Sequence, residues 1–119
     1  MGDRGIIEIA EEQGGRVYFY THWQGSEVPS LVAKGLLKGR ERWDDESYLN
    51  RVLFDTLTGY SGGVTGFGIS TWCPDDAYVK VQVNHVFKTA QVFERSWDTT
   101  WQAVGEQLSF EDFATRYNV

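Results

Sequence analysis

RVYFYTHW, residues 16–23, decides how the rest of the chain is read. Its β-branched and aromatic side chains favour a pleated strand. Period two divides the stretch in two: Val17, Phe19, Thr21 and Trp23 share one face, and Tyr18, Tyr20 and His22 share the other. One face can enter a core. The other then carries two phenols and an imidazole away from it.

Working outward, GIIEIAEE at 5–12 predicts a preceding strand with Ile7 and Ile9 on one face, and QGG at 13–15 predicts the hairpin turn between the two. After residue 26 the period changes. Val28, Leu31, Val32 and Leu36 recur at helical spacing, with Ser26 as the expected cap and Pro29 in the first turn. RWDDESYLNRVLFDTLTG, 42–59, predicts a second helix. Asp44 or Asp45 caps it, Leu49, Val52, Leu53 and Leu57 form its buried stripe, and Gly59 stops it. FGISTW at 67–72 predicts a third strand and CPDDA at 73–77 a turn. YVKVQV at 78–83 alternates cleanly, with Val79, Val81 and Val83 inward and Tyr78, Lys80 and Gln82 outward. NHVF turns the chain back into KTAQVFE, a fifth strand. The tail reads as helical in pieces, with SFED at 109–112 as a capping-box-like start and Phe110 and Phe113 as apolar anchors.

The order β-β-α-α-β-β-β-α predicts the α+β class. The expected architecture is an antiparallel sheet of about five strands, with two helices on one face and a C-terminal helical segment. The chain of 119 residues reads as a single domain, 1–119. At 41% hydrophobic and 15% aromatic it has the material for a core. No apolar run is long enough for a membrane span or a signal peptide, so the expected location is the cytoplasm, of the host if the protein is phage-encoded. The chain begins Met-Gly, but Ile6 stands where a myristoylation pattern wants Ser or Thr.

The single Cys73 cannot form an intrachain disulfide and reads as a half-buried thiol before a Pro turn. Two histidines and one cysteine fall short of the four N or S ligands of a structural zinc site, so no metal is expected, and no cofactor motif is present. Seventeen acids against eleven bases give a net charge of −6, which repels a phosphate backbone and disfavours general nucleic-acid binding. A small anionic ligand in a locally basic pocket stays compatible with that charge. So does an acidic surface that mimics nucleic acid and blocks a host enzyme.

The chemistry-bearing residues gather on the second face of residues 16–23. Ser70, Trp72, Tyr78, Lys80 and Gln82 can join Tyr18, Tyr20 and His22 there, and contiguous exposed aromatics mark a binding platform. The competing structural reading lays the C-terminal helix over that face, with Trp97, Trp101, Phe110 and Phe113 filling it. As a catalytic set the only candidate is His22 as general base, oriented by Asp44 or Asp45. No Ser-His-Asp or Cys-His signature supports it, and GISTW lacks the second Gly of a nucleophile elbow. GGVTGFG, 62–68, lacks the Gly-Lys-Ser/Thr ending of a phosphate loop and reads as a connector. Arg42 either pairs with Asp44 or Asp45 or clamps an anion, with Arg40, Arg51 and Arg4 the other nearby bases.

MGDR, VYFYTHWQG, GRERWDDESYLNRVLF, TGFGIST and SFEDF together resemble a family of small uncharacterised proteins of bacteria and their phages. Members read Gly-Asp-Arg, Tyr-x-His-Trp-Gly-Gly, Arg-Trp-Asp-Asp and Thr-Gly-Tyr-Gly-Ile. Here Gln24 stands for a Gly and Phe67 for a Tyr. The resemblance carries kinship and no known activity. It picks out Asp3, Arg4, Thr21, His22, Trp23, Arg42, Trp43, Asp44, Asp45, Thr65 and Gly66 as the retained motif positions.

These readings predict a non-enzymatic binding module. Its expected binding residues are Arg4, Tyr18, Tyr20, Thr21, His22, Trp23, Arg42, Trp43, Asp44, Thr65 and Gly66. Its expected target is a protein partner or a small polar or anionic ligand, and the resemblance implies a bacterial or phage setting such as counter-defence. A small hydrolase or transferase using His22 with Asp44 or Asp45 is the alternative from another class. A two-fold homodimer through an edge strand or the open face is a further expectation.

Overall fold

A computed structural model describes residues 3–59, 63–96 and 100–119. Trp97 and the first residues of the glycine-rich loop, 60–62, lie outside the described residues, as does the Met-Gly start. The elements are β1 (Gly5–Ala10), β2 (Arg16–Thr21), α1 (Val28–Lys38), α2 (Glu46–Thr58), β3 (Phe67–Ser70), β4 (Val79–Asn84), β5 (Thr89–Glu94), β6 (Gln102–Ala103), β7 (Leu108–Ser109) and α3 (Phe110–Tyr117). The α+β class and the order of the long elements follow the hydrophobic periods. The strands pair in the order β3-β2-β1-β4-β5-β6, with β7 also pairing β5.

All three helices lie on one face. Val32 and Leu36 of α1, Leu49, Leu53 and Leu57 of α2, and Phe110 and Phe113 of α3 form one cluster with Ile7, Ile9, Phe19, Val81, Val83 and Val92 of the sheet. Each of these large side chains contributes about 1.5–3 kcal/mol by leaving water. The competing reading, in which the C-terminal helix covers the second sheet face, therefore fails for Phe110 and Phe113, which enter the helical layer. Ser109 caps α3 by accepting the Asp112 amide at 3.1 Å, as the SFED motif predicts. Asp45, not Asp44, caps α2 by accepting the Tyr48 amide, and Gly59 closes that helix in the left-handed conformation. Ser26 does not cap α1: a 3-10 turn at Gly25–Glu27 leads into it, and the Ser26 hydroxyl donates to Asp3 instead. The tail holds two short strands, β6 and β7, before its helix, because its backbone completes the β5 edge.

One pair departs from the antiparallel expectation. β1 and β4 run parallel, Gly5 opposite Val79 through Ala10 opposite Asn84. The register dictates the consequence. β3 is antiparallel to β2, so it runs the same way as β4, and two strands lie between them. The connection 71–78 must return across three inter-strand spacings, roughly 14 Å. The helices occupy one face, so it crosses the other. The contacts of that segment agree: the Tyr20 hydroxyl donates to Asp76 at 3.5 Å, and Arg95 donates to the carbonyls of Ala77 and Pro74. Ile6, on this second face, is 0% exposed and Glu8 only 5%. Trp101 adds cover farther along, with the Lys80 ammonium 4.9 Å and the Arg95 guanidinium 4.3 Å from its ring centre. The face carrying Tyr18 and Tyr20 is thus partly roofed by the chain itself, and what stays open lies toward the β3 edge.

Candidate functional site

β2 ends at Thr21, so His22 and Trp23 leave the strand rather than extend it. The His22 amide donates to the Gly66 carbonyl at 2.9 Å, which turns both side chains to the corner where β2, β3 and the 71–78 crossover meet. Gly66 has φ +99, and a Cβ there would stand 2.9 Å from the Trp23 ring, so only glycine lets the ring lie against this turn. Trp23 meets the His22 ring edge-on, centres 4.7 Å apart.

Arg4 organises the corner. Its Nε donates to His22 Nδ1 at 3.3 Å and lies 3.4 Å from an Asp76 carboxylate oxygen. The Tyr20 hydroxyl lies 3.2 Å from the same Nδ1 and donates to Asp76. Guanidinium can only donate, so Nδ1 accepts and the ring carries its proton on Nε2. Burial and the neighbouring Asp76 charge raise the Tyr20 phenol above its ordinary range. Beside this cluster Tyr78 donates to Asp3 at 2.7 Å, and the Ser26 amide donates to the same carboxylate. Burial pushes the Asp3 carboxyl up, but the hydrogen bonds from Ser26 and Tyr78 outweigh it and hold the group below its usual range.

A groove of about 350 Å³ opens between the edge strand β3 and the crossover. Tyr20, Gly68 and Ser70 line its sheet side, and Trp72, Pro74, Asp75 and Asp76 line the other, with Ile69 at the strand edge. Trp72 is 67% exposed and Ile69 60%. Asp76 is shared with Arg4 and Tyr20, whereas Asp75 makes no hydrogen bond or ion pair among the described residues. The Ser70 hydroxyl is held by the Trp72 carbonyl at 2.6 Å.

The structure brings Arg4, Tyr20, His22, Trp23 and Gly66 together. Tyr18 shares the face one rung away, opposite Ser70 and Glu8, and burial and the Glu8 charge raise its phenol. Thr21 is 0% exposed with an unpartnered hydroxyl, so its assignment as a binding residue is corrected: no ligand reaches it. Thr65 lies exposed in the turn before β3.

Arg42, Trp43, Asp44 and Asp45 lie elsewhere. The Glu12 amide donates to Glu46, which ties the start of α2 to the β1–β2 turn. His22 sits at the far end of β2, about 20 Å away along six residues of strand. The pairing of His22 with Asp44 or Asp45 is therefore corrected. Trp43 packs on Phe110, and its indole N–H donates to the Leu36 carbonyl at 2.9 Å, so it belongs to the core.

Asp75 and Asp76 join the site although the CPDDA stretch at 73–77 predicts only a turn. No signal within the sequence marks them: only the parallel pairing of β4 with β1 shows that this Pro-Asp-Asp segment crosses a sheet face. Cys73 is half-buried, as its setting before Pro74 suggested, and burial raises its thiol despite the nearby Lys80 and Arg95 charges. Among the described residues no three His, Cys, Asp or Glu side chains cluster to hold a metal ion, and no helix is long and apolar enough to cross a membrane. Comparison of the chain with protein-family models, curated proteins and solved structures finds no match in any of the three.

Proposed function

We propose that this protein is a non-enzymatic binding module whose working surface is the groove along β3, and that its target is an extended segment of a protein partner. The observation that carries the reading is the groove's composition. Among the described residues no strand pairs the outer edge of β3, and beside that edge lie exposed Trp72, Tyr20 and the Asp75 carboxylate, while exposed Ile69, opposite Phe19, projects to the other face of the strand. A free edge supplies main-chain donors and acceptors for an added strand, and the flanking side chains select its residues. The aromatic and carboxylate lining suits a cationic side chain in that segment. The Arg4 cluster supports the reading as a brace for the crossover wall, since its groups already bond one another. In the bacterial or phage setting that the motif resemblance implies, such a module would act by occupying a host protein, as counter-defence requires.

Selection of an extended-peptide display library on the full chain tests this, followed by amide-shift mapping of a selected peptide. The expected result is perturbation of Phe67–Ser70 and Trp72, lost in Trp72→Ala while the fold persists. Perturbations confined to another surface, or a second copy of this chain occupying the β3 edge at working concentration, would overturn it.

A further inference from the structure

At the opposite end of the sheet, where α1 passes into α2, a second cleft of about 560 Å³ is lined by Lys38, Arg40, Arg42, Arg51 and Tyr48, with Glu41 its one acid. Four of the chain's eleven basic residues thus face one cleft on a protein of net charge −6. We propose that this cleft is an anion site for a small phosphorylated ligand.

The geometry favours Arg42 and Arg51 as the gripping groups. Arg42 lies over the Tyr48 ring at 4.8 Å, which fixes the plane of its guanidinium. Its nearest carboxylate, Asp45, is 3.8 Å away, a loose pair at an exposed position. Arg51 pairs with Asp55 one helical turn on, at 2.8 Å, and its side chain is 67% exposed. An exposed pair of that kind holds its partner weakly, so the guanidinium is free to be shared. Arg40 donates through its two terminal nitrogens to the two carboxylate oxygens of Glu111 in α3, so its charge is already matched and it is not a gripping group. Guanidinium forks match phosphate oxygens in pairs, which a point charge does not.

Part of the carbonyl end of α1 is already occupied by donors. The Gly35 carbonyl accepts the Gly39 amide, Leu36 accepts the Trp43 indole, and Gly39 accepts the Arg42 amide.

Calorimetric titration of the full chain with pyrophosphate at low ionic strength tests the site. Saturable one-to-one binding is expected. Arg42→Gln with Arg51→Gln is expected to weaken it by at least about tenfold, as loss of two charge-assisted forks requires. Lys34→Gln, on the exposed face of α1 and outside the cleft, is expected to leave it unchanged. Circular dichroism checks that each variant folds. No saturation at millimolar pyrophosphate, equal affinity in the folded double variant, or an equal loss in Lys34→Gln would overturn the proposal. So would displacement of pyrophosphate by a glutamate-rich peptide of higher affinity, which would make the cleft a protein contact. None of these outcomes involves the β3 groove.

Discussion

Arg4 stands between His22 and Asp76, its Nε 3.3 Å from the imidazole Nδ1 and 3.4 Å from the carboxylate. One side chain from the start of β1 thereby joins the end of β2 to the crossover that forms the groove's outer wall. Arg4 and Asp76 are both partly exposed, so the brace is stabilising by little: Arg4→Met is expected to cost about 1 kcal/mol or less. Its effect should be local. Hydrogen exchange is expected to show faster amides in 75–78 with the rest of the sheet unchanged. Unchanged exchange there would mean that Arg95, through the Ala77 and Pro74 carbonyls, holds the wall alone.

The same corner depends on a close backbone approach. Gly25 donates its amide to the Asp3 carbonyl at 2.6 Å, and a Cβ at Gly25 would fall 2.6 Å from the Arg4 carbonyl oxygen. The three nearest atoms, the Arg4 carbonyl carbon and oxygen and the Asp3 carbonyl oxygen, are all main chain, so no side chain can turn aside. Gly25→Ala is expected to cost about 1–3 kcal/mol, and thermal unfolding is expected to shift down by several degrees. A neutral outcome would show that the 24–27 turn can move off β1 freely.

Beneath the crossover, Glu8 is 5% exposed and serves three partners. Its Oε2 accepts from Arg16 at 3.1 Å and from Gln82 at 3.3 Å. Its Oε1 lies 2.7 Å from the Lys80 ammonium, an ion pair bent away from hydrogen-bond geometry. Lys80 is itself nearly covered, between the rings of Phe93 and Trp101. Glu8→Ala leaves that cation without its counter-charge and is expected to cost about 3 kcal/mol. Glu8→Gln with Lys80→Met removes both charges together and is expected to recover much of that loss. Denaturant unfolding of the two variants measures the difference. Equal losses would show that packing, not charge, governs the site.

The hydrophobic periods made most of the fold legible. Val79, Val81 and Val83 could only face a core, and Leu49, Leu53 and Leu57 could only form a helix stripe, because those side chains gain most by leaving water. What stayed hidden was set by non-local register. Nothing within residues 67–84 says that β4 lies parallel to β1, and that one pairing sends 71–78 over the tyrosine face. The same gap explains the site. Arg4, Tyr20, His22 and Trp23 could be nominated as neighbours along or beside one strand, but Asp76 reaches them only through the crossover. Asp44 and Asp45 were misplaced because a helix start close in sequence to β2 lies at its far end in space. β6 and β7 were missed because two-residue strands carry no period, only a backbone edge to complete.

His85 is expected to make the fold sensitive to mild acid. It is 1% exposed, its Nε2 bonds the side-chain amide oxygen Oδ1 of Asn50 at 2.8 Å, and its Nδ1 has no partner. The oxygen accepts, so Nε2 carries the proton, and a second proton on Nδ1 would be an unpaired donor in the core. Burial lowers the affinity of this ring for a proton. The Glu46 and Glu12 charges oppose that, Lys88 adds to it, and the net shift is downward. The unfolded chain takes up its proton from about pH 6.5 downward, as an ordinary histidine does. The folded chain does so only at lower pH, so the unfolded state binds more protons in between and stability falls as the pH drops through that window. The contribution is whole above the unfolded value and lost once pH has passed below the folded one. His85→Gln keeps a donor for Asn50 and does not titrate. Its stability deficit relative to wild type, measured by denaturant unfolding, is therefore expected to narrow between about pH 7.5 and 5.5. A deficit that stays constant across that range would show that His85 is protonated as readily in the fold as outside it.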